Sequence, residues 1–254
     1  MKKRNTLVLC LILFGYSTLA AAEEDKNSAE QEKKINYNIA LDVANVYFWR
    51  GYDYYSPSLS DPQKNFNLVP GLFPSLTMDF SNGFSFNVWS ALALASRNSA
   101  SGDLQSLDEV DLTLAYEIED ISGTFSTLLA VYTYPTSKGA AYPELVTSYT
   151  APWDLLNPSL TYAISFGPES TQYQYSSFSL SHEFETGILN IAPDLAFGYW
   201  INTKGSHLDL NIPFTFAFTE SFEMHTGVLG SYRFSGFDGA PFIVVANLGT
   251  SFSF

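Results

Sequence analysis

Cysteine is all but missing from this chain. Its single copy, Cys10, lies inside the apolar stretch Leu7 to Phe14, which follows Lys2, Lys3 and Arg4 and precedes Ala20, Ala21 and Ala22. Positive residues, a short apolar run and small residues, in that order, are the layout of a secretory signal peptide, expected to be cleaved after Ala22. The run is too short for a helical span, which needs about 20 residues. A lipid anchor would place its cysteine after the run, so Cys10 is not read as a lipidation site. Loss of residues 1–22 leaves no cysteine at all. An exported chain without a disulfide framework must rely on hydrogen bonding and packing.

Positive charge is the second scarcity. Residues 1–22 hold three of the twelve basic residues and none of the twenty-six acidic ones, so the remainder carries nine against twenty-six, a net charge near −17. Nucleic acid is excluded as a partner, because its binding rests on basic groups that neutralise phosphates. Long apolar runs are the third scarcity: nothing after residue 22 has the length and hydropathy of a transmembrane helix. There is no glycine-rich phosphate loop and no cofactor motif. No cofactor and no metal site are expected.

Aromatic residues are abundant instead. Sixteen tyrosines and twenty-one phenylalanines accompany only 15% charged residues. After a polar leader, 23–34, the apolar residues recur with period two, the mark of half-buried strands. In INYNIALDVANVYFW (35–49), Ile35, Tyr37, Ile39, Leu41, Val43, Tyr47 and Trp49 form one apolar row, and Asn36, Asn38, Ala40, Asp42 and Ala44 the other. The pattern predicts twelve strands, the last at 242–254. Connections at 51–67, 96–108, 135–142, 167–172, 202–206 and 235–241 are longer and rich in Gly, Ser, Pro and Asp. Those at 81–83, 119–123, 151–157, 185–188 and 219–221 are mostly tighter.

Long alternating strands with two unlike sets of connections predict an all-β fold. It is read as an antiparallel up-and-down transmembrane β-barrel of about 12 strands, one domain spanning 35–254. Soluble strands average about five or six residues, shorter than these. The polar face carries Asp42, Asp79, Asp111, Glu117, Glu144, Asp194, Asp209 and Glu223, with Arg50 and Arg233 as counter-charges. In a membrane barrel the apolar face meets lipid and the polar face lines the lumen. Closure satisfies the strand edges, as lipid requires. Two aromatic girdles are expected: Tyr37, Phe80, Phe84, Tyr116, Phe222 and Phe252 at the end holding the termini, and Tyr47, Trp49, Tyr199, Tyr232 and Phe234 at the other.

The ending NLGTSFSF resembles the sorting signal of bacterial outer-membrane barrels, with Phe254, Phe252, Leu248, Val244 and Phe242 in alternation. That resemblance implies a place in the outer-membrane lipid and recognition by the barrel-assembly machinery. A second stretch, Trp49-Arg50-Gly51, together with VYTYP (131–135) and Glu144 in YPELV, resembles the proteobacterial Gcw_chp, or TorF-like, family. Membership implies the barrel fold and no settled activity.

Other candidates are weaker. Tyr52, Tyr54 and Tyr55 sit in a loop that offers aromatic faces to a ligand or folds inward as a constriction. His182 lies near Ser181, which points to the opposite face, so a nucleophile within reach of its base is not expected, nor is an enzyme. His225, beside Glu223, lacks a visible third metal ligand, and His207 reads as a loop residue. The expected function is passive passage of small hydrophilic solutes, cationic or neutral. The alternative is a non-conducting barrel with a structural, adhesive or ligand-binding role carried by its loops.

Overall fold

The computed structural model describes residues 6–7, 19–20, 35–50, 52–53, 70–94, 109–135, 141–153, 156–166, 172–235 and 241–254. The leader, most of residues 1–22, Tyr54 and Tyr55 lie outside the described residues. So does the side chain of Tyr52.

The alternating stretches form twelve antiparallel strands. They are β1 (Ile35–Ala44), β2 (Gly71–Phe80), β3 (Phe84–Ala93), β4 (Glu109–Asp120), β5 (Gly123–Thr133) and β6 (Tyr142–Thr150). They continue with β7 (Asn157–Ser165), β8 (Gln174–Ser181, resuming at Phe184–Thr186) and β9 (Leu189–Ile191 and Asp194–Trp200). The last three are β10 (Gly205–Thr219), β11 (Phe222–Ser235) and β12 (Phe242–Ser253). Each strand pairs with its sequence neighbours, and β12 returns to β1, with Phe252 opposite Ile39 and Leu248 opposite Val43. The ring is closed, so no edge is left unpaired.

The gaps in β8 and β9 have a local cause. Pro193 lacks an N–H, and it stands opposite His182, whose N–H reaches the Pro193 carbonyl at 3.1 Å. Register is the same on both sides of the gap, Ser181 with Asp194 and Phe184 with Ile191, so each is one strand with a defect. The turn after β2 needs Gly83, at φ +85°, because a Cβ there would sit 2.5 Å from the Glu117 carbonyl oxygen. Only glycine tolerates both conditions without cost.

One row of each strand faces out and forms an apolar belt. Ile39, Leu41 and Val43 on β1 continue into Leu248 and Val244 on β12 and Leu112 and Leu114 on β4, all exposed. Tyr37 stacks on Phe254 at 5.7 Å, and their backbones exchange two hydrogen bonds at 2.9 and 3.0 Å. Phe222 stacks on Phe252 at 4.9 Å, so the expected girdle at this rim gathers the ends of β1, β11 and β12. At the far rim Tyr232 and Phe234 face out as expected.

Tyr47 and Trp49 do not belong to that girdle. Strand β1 stops at Ala44, and from Val46 to Arg50 every residue is buried, odd and even alike. Val46, Tyr47, Phe48 and Trp49 are an unbroken apolar run, so no polar row remains to face the lumen. The run leaves the wall and turns inward, Phe48–Trp49 pairing with Tyr52–Asp53 as a short antiparallel ladder. His207 is a second correction. It lies within β10, which begins at Gly205, and is wholly buried on the inner face.

Candidate functional site

The inward row of each strand carries the polar side chains. Asp42, Asp111, Glu117, Glu144, Asp209, Arg50 and Arg233 are buried inside the ring, and Asp79, Asp194 and Glu223 are half-buried on the same inner rows. Glu109, the first residue of β4, joins them. The structure divides these residues between two halves of the lumen.

At the half away from the termini, the segment after β1 crosses the bore. Asn45 roots it: its N–H bonds the Ala246 carbonyl at 3.1 Å, its side-chain oxygen accepts the Ala246 N–H at 2.9 Å, and its amide donates to the Val244 carbonyl at 3.2 Å. Tyr47 then packs 5.7 Å from Phe73 and 5.5 Å from Trp89, rings that stack on each other. Its hydroxyl donates to Glu109 at 2.9 Å. Trp49 lies 5.4 Å from Trp200, 5.7 Å from Tyr173 and 6.1 Å from Tyr132. These partners stand on β2, β3, β4, β5 and β9 and just before β8, so the segment touches walls on both sides of the ring.

Arg50 ends the crossing. Its backbone is left-handed, φ 47°, a conformation that costs a non-glycine residue about 1–2 kcal/mol. The Trp200 indole N–H holds its carbonyl at 2.9 Å. The guanidinium forks onto Glu144 of β6, Nη1 to Oε2 at 2.6 Å and Nη2 to Oε1 at 2.9 Å. It lies 4.5 Å over Trp49 and 4.8 Å over Tyr175, with Tyr173 at 6.0 Å. Tyr132 donates to Glu144 at 3.0 Å, and Tyr173 donates to its other oxygen. Glu144 is 0% exposed, so among the described residues its charge is met by this one cation and two phenols. Breaking such a pair from one side costs about 3–5 kcal/mol.

Two histidines each reach across an intervening strand where a glycine gives them room. His225 on β11 reaches over Gly249 of β12 to bond Asp42 on β1. His207 on β10 places Nδ1 2.9 Å from Asp209, and its Nε2 lies 3.3 Å from the Tyr175 hydroxyl across Gly198 of β9. A side chain on either glycine would collide with the pair above it.

The half nearer the termini is built from small polar residues. Thr77, Ser85, Asn87, Ser126, Ser148 and Ser159 line it, several bonded to one another: Asn87 to Thr77 at 2.8 Å, Ser126 to Ser148 at 2.8 Å. Asp79 and Glu117 stand here. Both Asp79 oxygens and Glu117 Oε2 are buried and meet no hydrogen-bond partner among the described residues. Among the described residues, no three His, Cys, Asp or Glu side chains converge on a metal position.

Sequence reasoning placed the acids on one face but missed Glu109, Tyr132, Tyr173, Tyr175 and Trp200. A signal existed for three of them: Tyr132, Tyr175 and Trp200 are aromatics standing on the polar row of their strands. The Trp49-Arg50-Gly51 and YPELV stretches, which carried the resemblance to the Gcw_chp family, meet in the Arg50–Glu144 pair.

No family model matches the chain, the Gcw_chp family included, and no curated protein matches it. Solved structures do resemble it. The KdgM porin aligns with a TM-score of 0.55 at 9% identity, over 86% of this chain and 99% of that one. The NanC porin gives 0.51 at 11%, over 86% and 99%. The COG4313 outer membrane channel from Pseudomonas putida F1 gives 0.52 at 10%, over 92% and 100%. At such low identity the likeness carries the fold alone: this chain has the antiparallel barrel architecture of outer-membrane porins and channels.

Proposed function

We propose that the chain is an outer-membrane channel that passes small hydrophilic solutes by diffusion and favours cationic or neutral ones. The observation that carries this reading is the charge of the inner face. Asp42, Asp79, Asp111, Glu117, Glu144, Asp194, Asp209 and Glu223 line it, against Arg50 and Arg233. Rings of acidic side chains favour cations and repel anions, and low-dielectric walls strengthen that field. With the termini in the periplasm, the Ser and Thr half of the lumen opens inward and the Arg50 crossing faces the cell surface. The porin-like architecture supports the reading, although one KdgM structure was solved with oligogalacturonate, by its name a carboxylate. An acid-lined bore argues for the opposite charge here. Leu248 and Phe252 in strand β12, with Phe254 just after it, serve as the sorting signal in this reading.

The Arg50 crossing favours a second reading, a non-conducting barrel with a structural, adhesive or ligand-binding role carried by its extracellular loops. Single-channel recording in planar bilayers separates the two. A channel gives discrete conductance steps and a reversal potential displaced toward the cation equilibrium under a salt gradient. Anion preference overturns the selectivity, and silence in both the wild type and W49A supports the second reading.

A further inference from the structure

The surroundings of Arg50 have a chemistry of their own, separable from the segment that fills them. Tyr132, Glu144, Tyr173, Tyr175 and Trp200 belong to the wall strands β5, β6, β8 and β9 and their edges, whereas Arg50 is delivered by the crossing from β1. The carboxylate takes the two outer nitrogens of a planar cation, and an aromatic face lies within 5 Å of that cation. A planar fork matched to a carboxylate and stacked on aromatic faces is how guanidinium differs from ammonium, a compact point charge. Asp111 adds a second observation. It is a 2% exposed acid on β4, opposite Tyr132 of β5 and so beside the same cage.

We propose that this cage is a recognition site for guanidinium-bearing solutes, and that Arg50 is its built-in occupant. The proposal rests on the channel reading and names its solute class. Glu144 cannot be left buried without a cation, so the crossing leaves only by exchange, when a second guanidinium takes the place of Arg50. Such a solute therefore opens the bore through which it passes. A tethered group competes at an effective concentration on the order of millimolar, which sets the solute concentration needed.

The test separates binding from conduction. Purified R50A in detergent micelles is titrated with methylguanidinium and with methylammonium, read by the fluorescence of Trp49 and Trp200. The expected result is methylguanidinium binding about 10-fold tighter than methylammonium, and loss of that preference in R50A with E144Q. In bilayers, methylguanidinium raises the open fraction of the wild type, and R50K opens at a lower concentration because lysine cannot fork onto Glu144. R50K also carries the test if R50A does not fold. Equal binding of the two cations, or a preference that survives E144Q, overturns the proposal. Guanidinium binding in micelles with no current in bilayers refutes the channel reading and leaves the site standing.

Discussion

Glu144 shows how one buried side chain can be held by several weak contacts and one strong one. Its two oxygens receive a guanidinium fork, at 2.6 and 2.9 Å, and two phenols. The cation–π contacts of Arg50 with Trp49 and Tyr175 contribute about 0.5–2 kcal/mol each in such a desolvated place. Removing Arg50 alone strands the carboxylate, and removing Glu144 alone strands the guanidinium. Each single change, R50A or E144A, is expected to lower unfolding free energy by about 3–5 kcal/mol. The double change is expected to cost clearly less than the two together, since neither charge is then left alone. Denaturant unfolding in detergent micelles measures the cycle. Strict additivity would show that the pair contributes nothing through contact.

Among the elements, the crossing after β1 differs from the twelve strands in how it is held. The strands are tied by backbone ladders, unbroken from β11 to β12 and from β12 to β1. Beyond Asn45 the crossing depends on side chains: Tyr47 against Phe73 and Trp89, Trp49 against Trp200, Tyr173 and Tyr132, and the Arg50 fork. An element secured by side chains is the one that loosens first, since local opening follows the weakest set of contacts. W49A removes from the crossing an aromatic that buries roughly 150–250 Å². Single-channel conductance is expected to rise about twofold or more, with the barrel intact by its resistance to sodium dodecyl sulfate. Unchanged conductance would place the narrowest point elsewhere.

For the whole molecule, the sorting of charge matters more than any one acid. Arg50 is committed to Glu144, and in the other half Asp79 and Glu117 meet no hydrogen-bond partner among the described residues at three of their oxygens. In the proposed channel these two face solutes in the half nearer the termini. D79N combined with E117Q is therefore expected to cut the cation-over-anion permeability ratio by about twofold, on the rule that acidic rings set selectivity, while conductance in high salt changes little. Reversal potentials at low and high ionic strength measure both, since screening shortens the field to about 3 Å at 1 M. A ratio that does not move would assign selectivity to the Arg50 half alone.

Side-chain alternation is a local property of extended backbone, and it was enough to read twelve strands, their order, the inward acids and the outward apolar belt. It was also enough to place NLGTSFSF as the strand that closes the ring. Where alternation failed, at Val46 to Trp49, the failure was visible as an apolar run with no polar row, and it marked the point where the chain leaves the wall. What no local pattern holds is the meeting of distant residues. Arg50 and Glu144 are 94 residues apart, and Asp42 and His225 are 183 apart. The size of the closed ring decides those pairs, because it alone determines which strands stand across the lumen from β1 and which beside it. The wall was therefore legible in the sequence, and the contents of the lumen required the fold.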